Sequence, residues 1–126
     1  MMIAPLSKLV AVLALTVVAA CSRASPLGAP AGAPYARGPV EAFTHSATAS
    51  NLLVRGGPGS RESCGISATV DARTRYYQKQ ASGELRTIPR SAVAVGDTVE
   101  VYVEGPVAES CPPQAYGSVV VRVSRP

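Results

Sequence analysis

The sequence predicts an all-β domain, a small barrel of five to six strands with an OB-like arrangement; a small β-sandwich or open meander is the alternative. Three observations carry this. Several short segments alternate apolar and polar residues with period two, turn-forming glycines and prolines separate them, and no long segment repeats apolar residues at the helical spacing.

The first of these segments runs Cys64, Ile66, Ala68 and Val70, alternating with Gly65, Ser67, Thr69 and Asp71. The second sets Val99, Val101 and Val103 against Thr98, Glu100, Tyr102 and Glu104. The third sets Val119, Val121 and Val123 against Ser118, Val120, Arg122 and Ser124. Side chains alternate faces along a strand, so each pattern marks one face toward a core. Further strand candidates are 41–47, 51–55, 74–79 and 85–88. The turn signals between them are the Gly56-Gly57-Pro58-Gly59-Ser60 run, Ala81-Ser82-Gly83, Gly96-Asp97, Gly105-Pro106 and Pro112-Pro113. A single helical turn is expected near 89–93, opened by Pro89.

This domain is expected to occupy 40–126, and two other regions precede it. Residues 1–20 carry one basic residue, Lys8, followed at 9–20 by an uncharged apolar run. A membrane-spanning helix needs about 20 apolar residues, so the run fits the core of a signal peptide. It ends in Val18-Ala19-Ala20-Cys21, which resembles the lipobox of bacterial lipoprotein precursors. That resemblance implies cleavage before Cys21 and lipid on its sulfur. Two or more acyl chains anchor a protein durably, each buried CH₂ contributing about 0.8 kcal/mol. Residues 21–39 are rich in Pro, Gly, Ala and Ser and read as a tether.

Basic residues exceed acidic ones by 12 to 8. Loss of Lys8 with the signal leaves 11 against 8, about +3, a modest excess that suits an anionic neighbour without specifying one. The remaining cysteines, Cys64 and Cys111, are expected to pair as a structural disulfide, as leftover pairs in oxidising compartments do. A redox-active pair, or a metal site with His45, are the alternatives; the spacing lacks Cys-X-X-Cys or paired histidines.

The sequence contains no nucleophile elbow, phosphate loop, zinc-protease motif or dinucleotide fingerprint. No catalytic residue, metal or cofactor is therefore expected. Glu62 and Glu109 each stand two residues before a cysteine, and a disulfide would bring them near one another, though solvated loop charges are the simpler reading. The patch with binding chemistry is Arg73, Arg75, Tyr77 and Lys79. In an extended strand these share a face, and aromatic and cationic groups together suit sugars or phosphates. Exposed strands also carry such residues with no ligand. The functional expectation is a protein-interaction module on a membrane face, with a barrel binding an anionic glycan or lipid headgroup as the alternative. Export argues against nucleic acid.

The run Val95-Gly96-Asp97-Thr98-Val99-Glu100-Val101, followed by Glu109-Ser110-Cys111-Pro112-Pro113-Gln114-Ala115, resembles the YobA-like family of small bacterial lipoproteins of unknown function. Members carry a V-G-D-x-V-x-V strand start and an E-S-Y-P-x-Q-A segment, and share the lipobox, tether and compact β domain. The resemblance covers about 85–123. It departs at Cys111, where tyrosine is usual, and implies that a covalent link through Cys64 replaces an aromatic contact. The family brings no catalytic residues.

Overall fold

The computed structural model describes residues 32–61 and 63–126. The signal run, Cys21, most of the tether and Glu62 lie outside the described residues. Among the described residues seven strands form one mixed sheet: β1 (Ala36–His45), β2 (Ser50–Val54), β3 (Ile66–Val70), β4 (Arg75–Lys79), β5 (Leu85–Thr87), β6 (Thr98–Ala108) and β7 (Gln114–Ser124). A 3₁₀ turn at Arg90–Ala92 matches the helical turn expected from Pro89.

Five of the strands close on themselves. β1, β2 and β3 form an antiparallel meander, β1 pairs with β6, and β6 pairs with β7. A parallel pairing of β3 with β7, Ser67 opposite Gln114 through Thr69 opposite Tyr116, completes the ring. This circuit is the connectivity of an OB-type barrel. The strand count exceeds the expected five to six because of the β4–β5 hairpin. β7 is long enough to serve two neighbours on one edge. Its first half pairs with β3 and its second half with β4, Arg75 opposite Val119 through Gln78 opposite Arg122.

That division buries β7 on both faces. Val120 packs into the barrel with Leu52, Val54, Ile66, Ala68, Val70, Val99 and Val101. Val119 and Val121 pack outside it, against Tyr77, Leu85 and Tyr102. The valines expected to face the main core are thus on the second face, and Val120 takes the core position. Alternation alone does not distinguish the two when both faces are covered.

The first strand begins at Ala36, inside the region read as tether. Ala36, Gly38 and Val40 alternate inward as regularly as any of the larger residues. Small side chains are required here, because a Cβ on Gly38 would sit 2.0 Å from the carbonyl oxygen of Arg55. The same smallness that reads as flexible linker is what lets β1 and the chain after β2 come together. At the other junction, Gly65 adopts φ +78° with Val54 O 2.0 Å from its would-be Cβ, and this breaks the strand before Ile66. Cys64 consequently lies in the preceding turn, half-buried, rather than on the core face. Gly105-Pro106, expected to end a strand, instead lies within β6, where the register with β7 shifts between Glu104 and Ala108.

Candidate functional site

The two ends of the barrel are built differently. At one end Cys64 and Cys111 are joined in a disulfide, Cα to Cα 5.4 Å, which ties the turn before β3 to the loop between β6 and β7. Glu109 in that loop is exposed. His45 lies far along the chain on β1, with Nδ1 2.9 Å from Ser50 Oγ and its ring centroid 4.7 Å from that of Phe43. The cysteine pair is therefore a crosslink, and His45 is part of the β1–β2 hairpin.

The patch Arg73, Arg75, Tyr77 and Lys79 does not form one open face. Arg73 precedes β4 in a turn. Its guanidinium donates to Asp71 Oδ2 at 3.1 Å and lies 5.0 Å from the centre of the Tyr116 ring. Tyr77 is buried, 4% exposed, within the outer cluster beside Val121. Lys79 Nζ lies 3.2 Å from Glu100 Oε1, and Arg37 Nε lies 3.2 Å from Glu100 Oε2. Glu100 is itself mostly buried, so its two cations compensate the burial of its carboxylate. Arg75 stays exposed. Strand parity correctly places Arg75, Tyr77 and Lys79 together, but β7 and β6 lie alongside and cover the middle of the stripe. Sequence alternation gives no sign of that neighbour.

The opposite end of the barrel holds a cleft of about 420 Å³, walled by Ser46, Thr48 and Ala49 of the β1–β2 loop, by Asp71, Ala72 and Thr74 of the β3–β4 turn, and by Tyr76 and Arg90. Each wall is fixed by hydrogen bonds. Ser46 N–H donates to Ala49 O at 2.8 Å, closing the hairpin loop. Thr74 Oγ1 donates to Gly117 O at 2.8 Å and accepts from the Asp71 N–H at 3.1 Å. Asp71 Oδ1 accepts from the Tyr116 hydroxyl at 2.8 Å and from the Arg73 N–H at 2.9 Å. The Tyr116 hydroxyl first, then the Arg73 amide and guanidinium, hold the Asp71 carboxyl below the usual carboxylate range.

Two groups in the cleft have bonding capacity left over. Tyr76 points inward from β4 and is 6% exposed, and its hydroxyl is buried with no hydrogen-bond partner among the described residues. Burial pushes its pKa up to about 12, against the opposing pull of the nearby Arg90 charge. Arg90 is exposed; its Nη1 donates to Ser50 Oγ at 3.3 Å, and no carboxylate among the described residues pairs with it. Neither residue stood out in the sequence. Tyr76 sits next to the more conspicuous Tyr77 on the opposite face, and Arg90 reads as an ordinary polar residue in a turn.

No family model, curated protein or solved structure matches this chain. The likeness to YobA-like lipoproteins accordingly stands on the quoted motifs. In those motifs Asp97 has an identifiable structural task. Its Oδ2 accepts from the Ala94 N–H at 2.9 Å and lies 3.7 Å from Nη1 of Arg122, with both side chains buried.

Proposed function

We propose that this chain is an exported lipoprotein, held on a membrane by lipid on Cys21, and that its barrel is a non-enzymatic binding module for an anionic envelope glycan or lipid headgroup. The observation that carries the reading is the Cys64–Cys111 bond. Structural disulfides persist in oxidising compartments and are rare where thiols are kept reduced. The apolar run and the Val18-Ala19-Ala20-Cys21 motif provide the route to such a compartment. The likeness of the Gly96-Asp97 and Glu109-Ser110 segments to YobA-like lipoproteins agrees with it. Ser22 differs from the aspartate associated with inner-membrane retention, which favours the outer membrane or cell surface.

The surface favours an anionic ligand, the alternative in the sequence reading, over the protein partner expected first. Arg61, Arg75, Arg86 and Arg90 are exposed, and among the described residues none has a carboxylate within ion-pair distance. Val95 is the one exposed large hydrophobic among those residues, whereas the centres of protein interfaces are enriched in aromatic and apolar anchors.

Cross-linking of the tagged, lipidated protein in cells, with protein and glycan analysis of what co-purifies, tests this. Recovery of an acidic glycan or lipid, lost steeply as salt is raised, is the expected result. A reproducible protein partner retained at high salt would replace it with the interaction-module reading.

A further inference from the structure

From the cleft between the β1–β2 loop and the β3–β4 turn we infer a binding site for a single carboxylate on a small hydroxylated body, the chemistry of an acidic sugar, with Arg90 and Tyr76 as its recognition pair. The inference rests on the reading of the barrel as a binder of anionic glycans and gives that reading a place.

A buried hydroxyl without a partner has lost its hydrogen bonds to water with nothing in exchange, so few persist in folded proteins. Tyr76 is such a group, and it stands in the wall of an open cleft rather than in a sealed core. A phenol held neutral, as burial holds this one, is a hydrogen-bond donor at any ordinary pH. Beside it Arg90 supplies a planar fork of donors whose one side-chain hydrogen bond among the described residues is to Ser50 Oγ. A guanidinium fork and a phenolic donor together complement the two oxygens of a carboxylate. The hydroxyl is closed to solvent as it stands, so a ligand reaches it only with a shift of the cleft wall, of which Arg90 is an exposed and lightly held part.

Charge decides between a carboxylate and a phosphate. Arg90 and Asp71 both line the cleft, and Asp71 is already paired with Arg73, so Arg90 is the one uncompensated charge among its lining residues before a ligand enters. One added negative charge is matched by Arg90. A dianion would place its second charge near Asp71, whose carboxyl is held ionised by Tyr116 and Arg73. The remaining lining mixes the Thr48 hydroxyl, and the Ser46 and Thr74 hydroxyls that already bond Ala49 O and Gly117 O, with methyls of Ala47, Ala49 and Ala72. This mixture suits a sugar ring, which presents hydroxyls at its rim and C–H groups on its faces, better than an aliphatic chain.

The test is titration of the isotope-labelled full chain in detergent micelles with D-glucuronate, followed by backbone and arginine side-chain NMR, with glucose and inorganic phosphate as comparison probes. The expected result is a saturable shift confined to the loop at 46–49, the turn at 71–74 and the Arg90 side chain. Arg90→Met and Tyr76→Phe should each weaken it about tenfold or more, while Arg125→Met, at an exposed residue outside the cleft, leaves it unchanged. Tyr76→Phe removes only the unpaired hydroxyl, so that variant stays folded and keeps the test decisive. Equal shifts with glucose, tighter binding of phosphate, or glucuronate shifts that survive Arg90→Met would each overturn the inference. So would the absence of any saturable shift. If the protein recovered from cells still carries acidic glycan while glucuronate leaves the cleft unperturbed, this site fails and the wider function stands.

Discussion

Arg122 and Asp97 form a buried pair at the end of the barrel, Nη1 to Oδ2 3.7 Å, with side chains 6% and 4% exposed. The pair belongs to a larger arrangement. Arg122 also donates to Gln78 Oε1 and to Ala92 O, each at 2.5 Å. Asp97 accepts the Ala94 N–H, and its own carbonyl accepts the Val40 N–H at 2.9 Å. One arginine on the last strand thus ties together β4, the 3₁₀ turn and the start of β6, and through Asp97 reaches β1.

Removing one partner of such a pair leaves an uncompensated buried charge, at a cost of about 3–5 kcal/mol. Asp97→Ala is expected to destabilise the fold by that amount in urea unfolding. Replacing both residues with apolar ones of similar size should recover part of the loss. A cost below about 1 kcal/mol for Asp97→Ala would show that the pair does not hold the end of the barrel.

The disulfide closes a span of 47 residues that contains β3, β4, β5 and all of β6. In the chain-entropy account a loop of that size contributes about 4 kcal/mol. Cys64→Ser, Cys111→Ser and reduction of the unaltered protein should therefore lower stability alike, by about 2–4 kcal/mol. Denaturation with and without reductant measures this, and the variants should lose their sensitivity to reductant.

Much of the placement of strands along the chain was legible because it is written in alternation. The β3 and β6 segments are patterned in the sequence as they lie in the fold, and the 3₁₀ turn follows Pro89 as expected. What alternation could not convey is which neighbour covers each face. Val119 and Val121 look like core positions and are buried, yet β4 and β5 bury them outside the barrel. Tyr77 looks like an exposed ligand platform, and the same hairpin packing encloses it. The start of β1 was hidden for a different reason: Ala36 and Gly38 are small because backbone passes close by, and small residues also compose linkers. The cleft was illegible because Tyr76 and Arg90 converge only through tertiary structure.

Gly38 gives a sharp check on that account of β1. In Gly38→Ala the new methyl meets the backbone oxygen of Arg55, which cannot rotate away as a side-chain end would. A loss of about 1–3 kcal/mol is expected. If residues 36–39 were tether, alanine would be neutral or slightly stabilising.

Two titrations bear on the cleft, with opposite signs. Asp71 has a lowered pKa through Tyr116 and then Arg73, so its contribution to stability is complete above the ordinary aspartate range of about 4. It is lost as pH falls through the lower folded value. Tyr116→Phe should move acid unfolding to higher pH. Tyr76 has a pKa raised by burial to about 12, so its contribution is complete below the ordinary tyrosine value of about 10. It is lost as pH rises toward 12. Ultraviolet titration should show a late-ionising tyrosine that Tyr76→Phe removes.

The anchor is the part of the account on which address and partner both depend, and intact-mass analysis of protein extracted from membranes tests it most directly. A chain beginning at Cys21 is expected, heavier than the polypeptide by a diacylglycerol and an additional acyl chain, together with release of a Cys21→Ser variant from the membrane. A mature chain of unmodified polypeptide mass, or one that keeps residues 1–20, would contradict it.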